Sequence, residues 1–259
     1  MKHLSLLIAL AATCTALLIS EADAAADTGR RRSAGPAIHL KSSFSNGASG
    51  WQSGFSDYSL QSSGMELESG IEQLPPELGS SETAFRISGH NRSDDLFMFL
   101  KRKVTGLQPG ATYQVTFRIT LASNAGSGCA GIGGAPGEAV MLKAGASEIE
   151  PLSVLNSDLF YRMNVDIGGQ RLGGSAASAV GNIANGRDDC RGNAPFVAIE
   201  RLHTHTTAVR ANGLGELWLL VGTDSGFEGK TTLYYRSIDV QLLRRSAGAV
   251  ATAWELNPQ

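Results

Sequence analysis

Three carboxylates stand out as groups that could move protons. Glu138 follows Gly137 in the run SGCAGIGGAPGEAV, where small residues let backbone approach a bound molecule, and Lys143 lies on the same short strand. Asp166 and Asp94 are its potential partners. Glycoside hydrolysis needs two carboxyls at a fixed separation, so Glu138 with Asp166 or Asp94 forms a hydrolase hypothesis whose geometry the sequence leaves open. Other chemistries lack their signatures. No Gly-x-Ser-x-Gly elbow is present, and the glycine-rich run does not end in the Gly-Lys-Ser/Thr of a phosphate loop.

The segment His203-Thr204-His205 puts two imidazoles on one face of a strand, with Glu200 close in sequence. A zinc-like ion needs three or more convergent ligands, and nothing in the sequence selects the third. A second polar group, His90-Asn91-Arg92-Ser93-Asp94-Asp95, is denser than a turn requires. Arg92 as donor with Asp94 and Asp95 as acceptors would suit hydroxyl-rich ligands; the plainer reading is side-chain turns onto the backbone. Trp51 and Tyr58 are candidates for stacking on sugar faces, with core packing as the alternative.

The elements that must hold these groups read as strands. Tyr113, Val115, Phe117, Ile119 and Leu121 alternate with Gln114, Thr116, Arg118 and Thr120, giving one apolar and one wet face. Leu96 to Leu100 is apolar throughout, as expected of a strand covered on both faces. The stretch 212–243 reads as two long antiparallel strands joined as a hairpin through Thr223–Gly229. In its second strand, unbroken alternation puts Tyr234, Ile238, Val240 and Leu242 on one face. Between Ser123 and Pro195 the pattern loosens into glycine runs and amides, so 123–195 is expected to be an insertion on one end or edge of the fold. The insertion is expected to bring the Gly131–Glu138 loop and the Asn164–Gln170 segment, with Asn164, Asp166 and Gln170, onto one polar concavity near Cys129 and Cys190. Arg92–Asp95 should lie at its rim.

The chain begins with Lys2-His3, an apolar run to Ile19 and small residues around Ala22–Ala26, the layout of a secretory signal over 1–26. Export to a periplasmic or extracellular space follows, with no transmembrane anchor in the mature chain. Cys14 lies in the apolar run, but Ala11 and Thr13 occupy places where lipoprotein signals carry Leu and a small residue, so lipidation is the lesser reading. Residues 27–36 are a polar leader, 37–245 one domain, and 246–259 a tail in which Trp254 could dock. The two remaining cysteines, Cys129 and Cys190, are expected to pair in an oxidising compartment. Hydrophobic residues make up 42% of the chain, enough for a sizeable core, and a net charge of −2 gives no electrostatic reason to expect nucleic acid.

The phrase Gly106-Leu107-Gln108-Pro109-Gly110-Ala111-Thr112-Tyr113, with the alternating strand after it, resembles the corresponding turn of jelly-roll carbohydrate-binding modules and other galactose-binding-like domains. Phe44 with Gly50-Trp51, and Tyr234 to Val240, are similar to their first and last strands. The whole chain also resembles a family of bacterial secreted proteins. The resemblance implies an all-β, jelly-roll type sandwich, here with a long glycine-rich, disulfide-pinned insertion. It also implies a structural calcium at an acidic residue of the last strand, matched by Asp239, although Arg236-Ser237 replace acids common there and leave Asp239 better read as an outer-face residue. The expectation is an exported, non-catalytic binding module for carbohydrate or a cell-envelope polymer, with the hydrolase as the alternative.

Overall fold

The computed structural model describes residues 37–79 and 81–246. The signal, the leader, Cys14 and the tail from 247 onward lie outside the described residues. Within them the chain is an all-β sandwich of jelly-roll type, and every strand pairing is antiparallel. Successive segments pass back and forth between the two main sheets. The seven-stranded sheet holds β1 (Ile38–Ser43), β4 (Glu68–Gln73), β5 (Thr83–His90), β7 (Thr112–Ser123), β12 (Val197–Thr204), β13 (Val209–Arg210) and β15 (Lys230–Arg244). The five-stranded sheet holds β2 (Gln52–Ser56), β6 (Leu96–Val104), β8 (Val140–Ser147), β11 (Ser178–Asn182) and β14 (Leu217–Ser225). A small third sheet joins β3 (Tyr58–Ser59), β9 (Ser153–Leu155) and β10 (Phe160–Met163).

The alternation in β7 does what its period requires. Tyr113, Val115, Phe117, Ile119 and Leu121 are all buried and join Leu217, Leu219 and Val221 of β14 in one core between the sheets. Full burial of each such side chain contributes about 1.5–3 kcal/mol. β15 is the spine of its sheet: β7 pairs along one side, while β5 takes Lys230–Tyr235 and β1 takes Ser237–Leu242 on the other.

Two expectations change here. β14 and β15 are not a hairpin: β14 pairs with β6 and β8, β15 with β7, β5 and β1, and the 226–229 turn carries the chain from one sheet to the other. Each strand has an apolar side facing the same core, so they pack across it instead of side by side. The β15 register also shifts between Tyr235 and Ser237. This bulge resets the alternation, so Leu233 and Tyr235 point inward with Ile238, Val240 and Leu242, and Tyr234 turns to the outer face.

The segment 123–195 is likewise not one insertion at an edge. β8 lies inside it, yet pairs with β14 from Val140 to Ser147 as an interior strand. The added part is 148–177, which covers the outer face of the five-stranded sheet. There Ile167 and Ala177 pack on Phe97, Phe99 and Leu220, which explains why β6 is apolar on both sides. Cys129 and Cys190 form the expected disulfide, with 5.4 Å between Cα atoms. Among the described residues no helix is long and apolar enough to cross a membrane.

Candidate functional site

The residues singled out from sequence do not assemble into one site. Glu138 Oε1 accepts the Gly128 N–H at 2.9 Å. Asp166 accepts the N–H groups of Gly168 and Ser175 at 3.0 and 2.8 Å, and those bonds hold its carboxyl below the usual range. No hydrogen bond or ion pair joins Glu138, Asp166 and Asp94: Glu138 Oε1 and the Asp166 carboxylate bond to their own loops, Glu138 Oε2 is buried without a partner, and Asp94 is exposed. Asn164 bridges the backbone of Leu152 and Glu150, and Gln170 donates to the Asp94 carbonyl. The loops do gather, but around the turn after β14. Glu228 N–H meets the Ile132 carbonyl, and the Asn91 amide donates to the carbonyls of Ser225 and Phe227. Arg92 is exposed and reaches only His90.

Lys143 is fully buried and so cannot meet a ligand. Its ammonium donates to Asp224 Oδ2 at 2.7 Å and to the carbonyls of Ile167 and Gly169 at 2.8 and 2.5 Å. Arg162 on β10 pairs with Asp57 at 3.1 Å and Asp95 at 3.5 Å. Three acids, Asp57, Asp95 and Asp224, therefore face two cations, and one surplus negative charge is held in a partly closed space. A retained proton resolves it. Burial, then the charge of Asp224 and a hydrogen bond with it, push Asp95 up to about 8. Asp95 Oδ1 and Asp224 Oδ1 are buried without any donor, as two carboxyls sharing a proton would be. This cluster fastens the 148–177 layer to the sheet.

Trp51 is 3% exposed, a core residue whose indole N–H donates to Ser42, so it offers no stacking face. Tyr58 is half-buried and stacked on Tyr161, with ring centroids 4.8 Å apart. His203 and His205 do share a face, as alternation required, but they converge on the Ser178 hydroxyl at 2.6 and 2.9 Å. Asp239 lies apart from them, on the outer face of the seven-stranded sheet beside Lys41 and Arg118. Among the described residues no group of three or more His, Cys, Asp or Glu is arranged to hold a metal ion.

The residues that do line a groove are others. Phe85, Ile87, Leu233 and Tyr235 fill the core, so their neighbours Arg86, Thr232 and Tyr234 face outward across the ladder, with Tyr234 directly opposite Arg86. Above this floor, 73–77 forms one wall and 192–196 the other, enclosing about 590 Å³ with Asn124 at one end. Phe196 joins the walls. Its N–H donates to Glu77 Oε1 at 2.8 Å, and its ring meets Tyr234 edge-on at 5.1 Å. Arg86 is oriented by Glu68 and Glu72. A second, more enclosed pocket of about 190 Å³ adjoins the groove, and Asn124, Gly192 and Thr232 line both. This pocket is bounded by Cys129, Cys190, Ile183, Phe227 and the Asp189–Arg191 ion pair, in which Arg191 holds the Asp189 carboxyl at about 2.

These groove residues were within reach of sequence reasoning at one point only. Adjacent Tyr234 and Tyr235 cannot both face the core of a strand, and a bulge decides which one does not. Asn124, Asn193 and Phe196 sit in the irregular segments and carry no period that could place them.

No protein-family model matches the chain, and no curated protein is similar to it. Among solved structures the chain is similar to TmCBM27, a carbohydrate-binding module with specific mannan recognition, at 14% identity and a TM-score of 0.37, covering 82% of this chain and 99% of that one. It is similar to a putative sugar binding protein from Bacteroides thetaiotaomicron at 14% identity and a TM-score of 0.36, over 78% and 92% of the two chains. It is also similar to the enzymatically active domain of tailspike protein 4 of bacteriophage CBA120, at 11% identity and a TM-score of 0.31, over 73% of this chain and 19% of that one.

Proposed function

We propose that the chain is an exported, non-catalytic binding module whose ligand is a carbohydrate chain laid along the outer face of the seven-stranded sheet. The observation that carries this reading is the set of uncommitted groups in the groove. Among the described residues, the side chains of Gln73, Asn124 and Asn193 and the Tyr234 hydroxyl have no protein hydrogen-bond partner, and all four line the same concavity. Amides and a phenol free to exchange bonds with hydroxyls, beside an aromatic ring that can cover the C–H face of a sugar, are what a glycan site needs. The acids that line the groove and its pocket are Glu77 and Asp189. Both are engaged, with Phe196 N–H and Arg191, which supports binding over hydrolysis. The disulfide agrees with export to an oxidising compartment.

The test is a glycan array of plant, bacterial and host glycans, followed by calorimetry on any ligand found. Wild type should bind, and Tyr234→Ala should weaken binding at least about tenfold, roughly 1.4 kcal/mol, with an unchanged melting temperature. Silence of the wild type across the array, or full affinity in Tyr234→Ala, would sink the proposal.

A further inference from the structure

The groove is not the same at its two ends, and from that asymmetry we infer that it recognises the end of a glycan chain, with the terminal sugar seated in the disulfide pocket. The inference rests on the carbohydrate reading above and specifies which part of the ligand is read. Over Arg86 and Tyr234 the groove is open, with about 590 Å³; beside Asn124, Gly192 and Thr232, which line both, lies the more enclosed pocket of about 190 Å³. There its two lining segments close on each other. Asn185 N–H bonds to the Ala125 carbonyl, Ser127 N–H to the Arg187 carbonyl, and Gly186 N–H to Ser127 Oγ. The Cys129–Cys190 bridge follows directly. Gly126 packs so tightly that a Cβ there would stand 2.3 Å from the Asp189 carbonyl oxygen and 3.0 Å from Cys129 Sγ. On this side of the pocket the two segments are in direct contact.

The pocket has the chemistry of a single-sugar seat. Ile183, Phe227, Ala125 and Pro136 supply apolar surface for a ring face. The Asn124 amide, uncommitted among the described residues, supplies a donor for hydroxyls, beside the Arg191 guanidinium, whose Nε and Nη2 are held by Asp189; the Lys230 ammonium is committed to Glu66 at 2.7 Å. A chain entering from the open groove would thus be read by its last unit, and an internal stretch could not occupy both parts.

The experiment uses the mature protein and β-1,4-linked hexaoses of glucose, mannose and galactose. Each is supplied in three forms: free, reduced to the alditol at the reducing end, and O-methylated at the non-reducing terminal 4-hydroxyl. Binding is read by calorimetry. For the hexaose that binds, one modification should weaken affinity at least about tenfold and the other should leave it unchanged. Ala130→Trp should fill the mouth of the pocket from an exposed position and cause a similar loss, with the wild-type circular dichroism spectrum retained. Equal affinity for all three forms, equal loss with both modifications, or full affinity in a folded Ala130→Trp overturns end recognition and leaves the carbohydrate reading standing. Failure of all three free hexaoses together with silence across the glycan array defeats that reading and this inference with it.

Discussion

His205 has no contact with solvent, and its two nitrogens have fixed roles. Nε2 must carry a proton, because it lies 3.1 Å from the Ser175 carbonyl, which can only accept. Nδ1 is then the acceptor for the Ser178 hydroxyl, and His203 Nε2–H donates to that same hydroxyl. A second proton on His205 would occupy Nδ1 and reverse its bond with Ser178, whose hydroxyl proton would then have to turn to the Ala144 carbonyl at 3.3 Å. Burial lowers the His205 pKa to about 4, with the Ser175 bond opposing and His203 adding to the shift. The folded value lies below the unfolded value of 6.5, so the unfolded chain takes up the proton first. Stability should be complete above about pH 6.5 and decline towards about pH 4 by up to about 3 kcal/mol, at about 1.36 kcal/mol per unit. Asp95 works the other way. Its folded pKa of about 8 exceeds the unfolded value of 3.8, so its contribution is complete in acid below about 3.8 and is lost as pH rises through about 8. Urea denaturation across this range should therefore show a steeper acid-side fall in Asp95→Asn than in wild type, and a shallower one in His205→Gln. An identical pH profile in all three proteins would remove both assignments. That the histidines share a face was legible from their spacing; that they would meet Ser178, far away in a low-complexity run, was not.

The layer formed by 148–177 is held by side chains that cross from the five-stranded sheet. Lys143 ties the carbonyls of Ile167 and Gly169, and Lys101 reaches Glu150 Oε1 at 2.6 Å and the Pro151 carbonyl at 3.0 Å. Removing one partner of a buried pair leaves an uncompensated charge, which costs about 3–5 kcal/mol. Lys143→Met should therefore destabilise by about that much, and hydrogen exchange should quicken in 148–177 well before it quickens in β7. Lys143→Met with Asp224→Leu should recover part of the loss, because no lone charge is left. Uniform exchange in both regions would mean that the layer and the sandwich open as one unit. The sequence put Lys143 on a short strand as a residue for a ligand, and the structure buries it on the side of β8 away from Leu142 and Ala144. Alternation could not show that another layer covers that side, since period 2 reports which face a residue takes and not what lies against that face. The bulge in β15 was hidden for a related reason. One extra residue inverts every later position, and the sequence around Arg236 looks continuous.

At the scale of the whole molecule, the sandwich was the most legible part, because burial on one face imposes the alternation that β7 carries openly, and burial on both faces the apolar run of β14. The groove was the least legible, because its walls come from loops placed by covalent and local bonds and not by period. The Cys129–Cys190 bridge is where these two levels meet. It closes a span of 61 residues, and the chain-entropy model gives such a loop about 4 kcal/mol of stabilisation. Yet the core strands inside that span, β8 and β11, are held by their own ladders with β14 and with each other. Segment 188–195 is different: past Arg187 it is tied to the rest of the fold by the bridge, by packing at Gly126 and by Phe196 bonding to Glu77. Cys129→Ser with Cys190→Ser should therefore lower stability by at most about 4 kcal/mol, keep the β-sheet circular dichroism spectrum, and weaken glycan binding at least about tenfold as the wall loosens. Wild type in reductant should follow the variant, since Cys190 is exposed and open to attack. Undiminished affinity in the double variant would mean that the bonds from 185–187 to 125–127 set the wall by themselves, and the bridge would then serve stability alone.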